Sequence, residues 1–497
     1  MTIRDLYLAI DVGTGGLRAA LVDRDGRIQG LAHQEHEQIV PQFGWSEQRP
    51  ADWWNGTRAV VRTVLDDVRN GAARVAAICC CGQMHGTVLI DGNGRLTRET
   101  VPLWNDKRTA PQVAAFEKQA DHDAAVALTA NSPATAWPAF KLAWLAENDA
   151  PALEQATSVL MPKDWINYCL TGQRAQDFTE ASLSFLMDWE RRDWSKRLCD
   201  MTGVPHALLP DLKDPQDVLG PLLPNVAGDL GLSADIPVLV GAGDYPMALT
   251  GSGVIAAGMG SDVTGTSSII TLMRDAPVIG PEISNVLAAD GTWGAMTLLD
   301  AGGDAVRWAR RAFHENKRSY ADVAHSATSA RAGADKLFFL PYLSGERRRP
   351  ELRAQFFGLT AAHGLPELHR SVLEGVGFAM RQRLDGLQGD LGRPDRIVAA
   401  GGGAKNELWL KIKASMFDVP YLVPEELECG VVGAAMLMAT STGDAADLKT
   451  AAARMVRYSS EVAPDARWTE IYDRMAPIYA KLYQQAADLH ADLDALP

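Results

Sequence analysis

Leu6-Tyr7-Leu8-Ala9-Ile10-Asp11-Val12-Gly13-Thr14-Gly15-Gly16 is an apolar run that ends in a glycine turn, and a second run, Leu17–Asp23, follows at once. Arg24-Asp25-Gly26-Arg27 then reads as a hairpin turn with Asp-Gly at its centre. Two strands joined by a glycine loop can clamp a phosphate without a helix. A P-loop is built differently, with Gly-Lys-Ser/Thr opening a helix. A second turn of the same kind, Thr264-Gly265-Thr266-Ser267, stands far downstream. Between the two, Gly241-Ala242-Gly243-Asp244 places a carboxylate at the end of the apolar run Pro237 to Val240. A lone aspartate between two phosphate-type turns has the character of a base that delivers a hydroxyl to phosphate.

Length and composition set the frame. A chain of 497 residues is long enough for two or more domains, each with its own core. Hydrophobic content of 47% and charged content of 22% are ordinary for a soluble globular protein. A formal net charge of −14 argues against nucleic acid as a partner, since backbone binding needs clustered Lys and Arg. Nucleotide binding stays open, because backbone N–H groups and a metal ion can meet the phosphates. The six cysteines, Cys79-Cys80-Cys81 with Cys169, Cys199 and Cys429, show no metal-ligand spacing and read as small buried side chains in a reduced cytoplasm. Met1-Thr2-Ile3-Arg4-Asp5 has no signal-peptide layout. No apolar run reaches the roughly 18 residues of a membrane span. A cytoplasmic protein without a membrane partner is expected.

Strand and helix patterns alternate. Trp53, Val60, Val64 and Val68 share one helical face within Trp53–Arg69, and Trp53 and Trp54 read as core. Val75–Cys81 and Thr87–Ile90 read as strands, the latter closed by Asp91-Gly92-Asn93-Gly94. After Asp244 the pattern begins again: the second Gly-Thr turn within Gly258–Ile270, an apolar stretch at 336–343, a helix over Leu365–Leu384, and a strand Ile397–Ala400 running into Gly401-Gly402-Gly403. This is an α/β chain with a weak internal repeat, each half opening on a phosphate-type turn. The boundary is placed near 245–255, which gives domains 1–248 and 249–497.

The chain resembles the FGGY carbohydrate kinases of the actin/hexokinase/Hsp70 superfamily, and within them the xylulokinase group. Ala354-Gln355-Phe356-Phe357-Gly358-Leu359, Glu367-Leu368 and Ser371-Val372-Leu373-Glu374 fit the family's C-terminal signature. Pro138, Lys141-Leu142, Trp144-Leu145 and Glu147-Asn148 fit the N-terminal one except at Ala136. Trp45-Ser46-Glu47-Gln48, Gly82-Gln83-Met84-His85-Gly86, Leu103-Trp104-Asn105-Asp106 and Phe339 to Arg347 are similar to blocks of pentulose kinases. The resemblance implies two actin-like (ribonuclease H-like) domains with an active-site cleft between them, sugar on the N-terminal side and ATP on the C-terminal side. A homodimer is the candidate assembly.

The same resemblance implies roles. Asp244 would be the general base, with the capping of a helix beginning after Pro246 as the alternative or an added role. Asp11 would hold Mg²⁺ through water. Gly13, Thr14 and Gly15 would wrap phosphate, and Gly265, Thr266 and Ser267 would form the second phosphate loop. Gly402, Gly403 and Asn406, beside Gly401, would line the adenosine pocket, with Gly433 either there or packing. Gln83, Met84 and His85 would meet the sugar. Asp106 with Arg108 would bind sugar hydroxyls or form an ion pair. Arg347-Arg348-Arg349 would attract phosphate or form a solvated loop.

Three positions depart from the family. Tyr245 stands where the xylulokinases carry Asn, a position that reads the sugar; Gly15 replaces a Ser or Thr; Glu428-Cys429-Gly430 is unusual on the adenine side. The expected activity is ATP-dependent phosphorylation of a ketopentose, D-xylulose first. Ribulose, L-xylulose and erythritol are the alternatives within the class. A non-catalytic sugar or nucleotide sensor is the alternative outside it.

Overall fold

A computed structural model of the chain describes residues 3–346, 349–389 and 392–494. It divides into two compact units. The first comprises Met1–Ile255, Asp275–Gly294 and Glu428–Val456; the second comprises Ala256–Arg274, Ala295–Leu427 and Arg457–Pro497. The sequence reading draws one cut near 248, whereas the units exchange segments. The cause is packing: the apolar helix Cys429–Ser441 buries its side chains against the first unit's sheet, far from it in sequence.

That sheet runs Val218–Pro221, Pro237–Gly243, Val75–Gly82, Leu6–Val12, Gly16–Asp23 and Ile28–Glu35 in order. Leu6–Val12, Val75–Gly82 and Pro237–Gly243 are parallel neighbours, and Gly16–Asp23 returns antiparallel to Leu6–Val12. The period of two decides which face each residue serves. Leu6, Leu8, Ile10 and Val12 pack with Trp53, Val60, Val64, Ile166 and Leu170 on one side. Tyr7 and Ala9 pack with Val431, Val432, Ala435 and Met438 on the other. The cysteine triplet divides likewise, Cys80 to the first side and Cys79 and Cys81 to the second; among the described residues no cysteine is in a disulfide.

The second unit repeats the plan. Met259–Thr264 pairs antiparallel with Ser268–Arg274 and parallel with Arg396–Ala400, which is parallel to Tyr421–Pro424. The 24-residue helix Leu365–Gln388 covers it, burying Val372, Val376 and Ala379 as the spacing predicts. Pro50–Asp67 is helical, with Pro50 at a position whose N–H has no helical partner. Among the described residues no helix is long and apolar enough to cross a membrane.

Candidate active site

Parallel register assembles the first unit's site. Val12 pairs with Gly82, and Gly82 with Gly243, so three strands end at one sheet edge. Asp11, the turn Gly13–Gly15, Gln83-Met84-His85 and Asp244 all stand there. The carboxyl ends of parallel strands are where open α/β sheets bind ligands.

Asp244 is the first residue of the helix Asp244–Gly251. The helix therefore starts at Asp244 and not after Pro246, which occupies its first turn. The Asp244 Oδ1 accepts from the Tyr245 N–H at 2.7 Å, a helix-start contact that occupies one of the two carboxylate oxygens. Burial, and secondarily the Asp11 charge, push the Asp244 carboxyl up to about 7. The residue is half-buried, so a little solvent reaches its surface. Tyr245, the departure from the family, is half-buried beside it.

Asp11 accepts from Arg18 Nη1 at 3.3 Å through Oδ2, while its Oδ1 is buried with no hydrogen-bond partner among the described residues. Burial pushes this carboxyl up, Arg18 opposes, and Glu428 adds to the rise. Arg18 also meets Glu428 at 3.3 Å. The unusual Glu428-Cys429-Gly430 segment thus stands beside Arg18 and Asp11 in the first unit, brought there by the returning helix.

The first turn is braced from outside. The Thr14 carbonyl accepts from Gln48 Nε2 at 2.7 Å and lies 3.0 Å from His36 Nε2; its hydroxyl oxygen accepts from Trp104 Nε1 at 3.0 Å. A side chain at Gly15 would meet open space, while one at Gly13 would approach the Gly16 carbonyl at 3.0 Å. Gln83 donates to Gln48 Oε1 at 2.8 Å, and its own Oε1 is buried without a partner among the described residues. Gln83 therefore reaches the phosphate-type turn through Gln48. Met84 packs against Gly243, where a Cβ would come within 2.7 Å of its Cγ.

His85 holds a left-handed backbone at φ +71, a costly state for a residue with a Cβ. Lys141 of the helix Pro138–Asn148 donates to the His85 carbonyl at 2.7 Å, and Trp137 meets the ring edge-on at 5.1 Å. Burial, with Lys141 nearby, holds the imidazole well below its ordinary range, so the ring is neutral. Burial also lowers Lys141 itself to about 7.

Asp106 takes the ion-pair alternative. Its Oδ1 accepts from the N–H and Nε of Arg108 at 2.8 and 2.9 Å; its Oδ2 accepts from Ser46 N and Arg108 Nη2, both at 2.7 Å. Four acceptor positions are thus filled internally, which leaves no direct sugar contact for this carboxylate. Arg108 also meets Glu47 at 2.6 Å and lies 3.7 Å above the Trp45 ring.

In the second unit the turn Gly265–Ser267 joins Met259–Thr264 to Ser268–Arg274. Val263 pairs with Ala400, so the triple glycine ends at the same edge. Gly401 has φ +75, and a Cβ there would lie 2.6 Å from the Thr264 carbonyl; one at Gly403 would lie 2.7 Å from the Thr264 Cβ. Asn406 Oδ1 caps the helix Glu407–Phe417 by accepting from Trp409 N at 3.1 Å. Gly265, Gly402, Gly403 and Asn406, with Val306, Tyr320, Ala324 and Val372, bound a cavity of about 470 Å³, a size suited to a nucleoside.

Gly433 is a packing glycine: a Cβ would fall 2.2 Å from the Met247 carbonyl and 3.0 Å from Gly251 N. Arg347 and Arg348 lie outside the described residues, and Arg349 donates to Gln484 at 3.2 Å.

Several contributors are not legible in the sequence. Gly303 N and Asp304 N donate to the Gly265 and Thr266 carbonyls at 2.8 and 3.1 Å, and Arg307 donates to the Thr266 hydroxyl at 3.0 Å. The signal available was Gly302-Gly303 ahead of an amphipathic helix. Buried Lys413 donates to Asp262 and Thr264, each at 2.8 Å, beneath that turn. Glu180 is buried with both carboxyl oxygens lacking partners among the described residues, and burial pushes it well above the ordinary range. No motif marked either residue.

Residues 6–251 match the N-terminal domain, and residues 261–442 the C-terminal domain, of the FGGY family of carbohydrate kinases. The chain belongs to that family. Among its relatives, the xylulose kinase of Escherichia coli (strain K12) is 29% identical over 493 residues, covering 98% of this chain and 100% of the relative. The xylulose kinase of Bacillus subtilis (strain 168) is 28% identical over 494 residues, covering 98% of each. The crystal structure of xylulose kinase from Rhodospirillum rubrum superposes with a TM-score of 0.92 at 26% identity, covering 98% of this chain and 100% of that one. This FGGY kinase therefore has the two-domain actin-like fold, and kinases of the family use ATP.

Proposed function

We propose that this kinase transfers the γ-phosphoryl group of ATP to the terminal hydroxyl of a ketopentose, D-xylulose giving D-xylulose 5-phosphate. The observation that carries the reading is Asp244, a carboxylate at the parallel-strand edge beside Asp11 and held near neutrality. A sugar hydroxyl attacks only as its proton leaves, and a base with a pKa near the working pH is best matched to take it. The near full-length similarity to relatives named xylulose kinase supports the sugar class.

Asp244 accepts the proton of the attacking hydroxyl, whose oxygen then bonds to the γ-phosphorus as the bond to ADP breaks. Neutral His85 can donate or accept one hydrogen bond to a sugar oxygen, while Gln83 Oε1 and Met84 complete the sugar side. Arg108 and Asp106 hold that wall in shape. In the first unit, Gly13, Thr14 and Gly15 would meet phosphate oxygens with backbone N–H groups. In the second unit, Thr266 and Ser267 would do so, while the Gly265 N–H is taken by the Ser267 carbonyl at 2.9 Å and shapes the turn. Gly402, Gly403 and Asn406 accept the adenosine. Asp11 fits Mg²⁺, because its buried Oδ1 has no partner among the described residues and a carboxylate is the hard donor this ion takes. The ion would neutralise charge on the phosphates.

Tyr245 favours a second reading, a kinase for ribulose, L-xylulose or erythritol. An ADP-coupled screen over pentuloses, pentitols and tetritols, with the product located by phosphorus NMR, separates these. D-Xylulose is expected to give the highest kcat/KM. Sugar-independent ADP release, or a tetritol as best substrate, would overturn the first reading.

A further inference from the structure

The strand that delivers Asp244 slips by one residue in its ladder before it gets there. Pairing of Pro237–Gly243 with Val75–Gly82 skips between Leu239 and Ala242. Gly241 makes the skip possible with φ +73, where a Cβ would fall 1.9 Å from the Cys80 carbonyl. A bulge of this kind re-aims the residues beyond it and strands backbone groups. Groups outside the sheet meet them: Val240 N donates to the Asp217 carbonyl at 3.0 Å, Gly241 N to the Pro215 carbonyl at 2.9 Å, and Asn167 Nδ2 to the Val240 carbonyl at 2.7 Å. The last N–H before the aspartate, that of Gly243, donates to Thr179 Oγ1 at 3.1 Å.

Thr179 is fully buried, and a hydroxyl has one proton to point. That proton goes to Asp177 Oδ1, which also accepts from Thr179 N at 2.8 Å and Glu180 N at 3.2 Å as the cap of the helix Phe178–Ser182. Asp177 Oδ2 lies 2.7 Å from the buried Lys163 ammonium, which also binds Asp164. With the hydroxyl proton taken by Asp177, the lone pair of Thr179 Oγ1 is left facing Gly243 N–H. We propose that Thr179 is a positioning residue for Asp244: oriented by Asp177 and Lys163, its hydroxyl oxygen fixes Gly243 beyond the bulge and so sets where the Asp244 carboxylate meets the sugar hydroxyl. The inference rests on the reading of Asp244 as base.

Thr179→Val keeps the shape and removes the acceptor. Its kcat is expected to fall on the order of 10- to 100-fold, the scale of a small misplacement of a reacting group, with KM for sugar and ATP within about threefold. Thr179→Ser restores the oxygen and brings kcat back within about threefold. Thr179→Ala removes the oxygen without a branched replacement and carries the same expectation if the valine variant does not fold. In an Asp244→Asn background, Thr179→Val costs at most about twofold more, because the group it positions is gone. Wild-type kcat in the valine and alanine variants, a serine variant as slow as valine, a loss in KM alone, or full additivity with Asp244→Asn would each overturn the proposal. If Asp244→Asn is inactive while Thr179→Val is unimpaired, only the positioning role fails. If Asp244→Asn turns over at the wild-type rate, the base reading fails and this one falls with it.

Discussion

Asp244→Asn keeps the size of the side chain and removes the acceptor for the hydroxyl proton. The structure gives this carboxyl a value of about 7 where an exposed aspartate has 3.8, with burial as the larger cause and Asp11 as the smaller. An unprotonated base is then mostly present at pH 8 and about one-tenth present at pH 6. We expect kcat/KM of the wild-type kinase to fall roughly tenfold from pH 8 to pH 6 and roughly tenfold again by pH 5. Asp244→Asn is expected to lose about 10²- to 10⁴-fold in kcat, the range of general-base contributions, and its residual rate to be flat over the same interval. The flat variant matters, because titration of ATP would impose its acid limb on both enzymes. Direct chromatographic measurement of ADP and sugar phosphate avoids pH-sensitive coupling enzymes. Stability gives an independent sign. A folded-state value raised above the unfolded one means that Asp244 favours the fold at acid pH and that this contribution is lost as pH rises through about 7. Asp244→Asn is therefore expected to unfold at higher urea than the wild type at pH 8, by at most on the order of 4 kcal/mol and by less to the extent that water reaches the half-buried carboxyl. The gap closes below pH 4. A wild-type profile flat from pH 8 to pH 6, or the same acid limb in both enzymes, would refute the reasoning.

Three further perturbations test the frame around the site. Gly401→Ala places a Cβ 2.6 Å from the Thr264 carbonyl at φ +75, so ATP affinity by calorimetry is expected to weaken at least tenfold while sugar affinity holds; unchanged ATP binding would show that the turn tolerates a side chain. Lys413→Met leaves buried Asp262 with Tyr421 but without its cation, and urea unfolding is expected to show a loss of about 3–5 kcal/mol. A loss below about 1 kcal/mol would mean that the Thr264 and Tyr421 hydroxyls suffice to hold the Asp262 carboxylate. Gly433→Ala forces apart Cys429–Ser441 and Asp244–Gly251 and is expected to cost about 1–3 kcal/mol, read as a lower melting temperature; a stabilised variant would contradict the close backbone approach.

Much of the site could be read along the chain because its parts are turns. A glycine turn after an apolar run is a local event, and Gly13–Gly15, Gly265–Ser267 and Gly401–Gly403 stand where strands end. Asp244 was legible for the same reason. Asp106 shows the opposite case. Its spacing to Arg108 permitted sugar binding or an ion pair, and only the bonds from Ser46 and Arg108 decide between them. Lys413, Thr179 and Glu180 carry no pattern at all, since a buried polar side chain inside an ordinary helix is recognised by its partners.

The sequence by itself determined the alternation of strands and helices, the two phosphate-type turns, the aspartate between them and the family. Those features depend on residue type and short-range period, which the chain carries openly. Only the tertiary structure decided that Cys429–Ser441 returns to the first unit, that Glu428 stands by Arg18 and that Gly243, just ahead of Asp244, is held from outside its sheet. Each of these rests on burial and hydrogen bonding between segments far apart in the chain, and no local preference encodes which distant partner will satisfy a stranded backbone group or a buried charge.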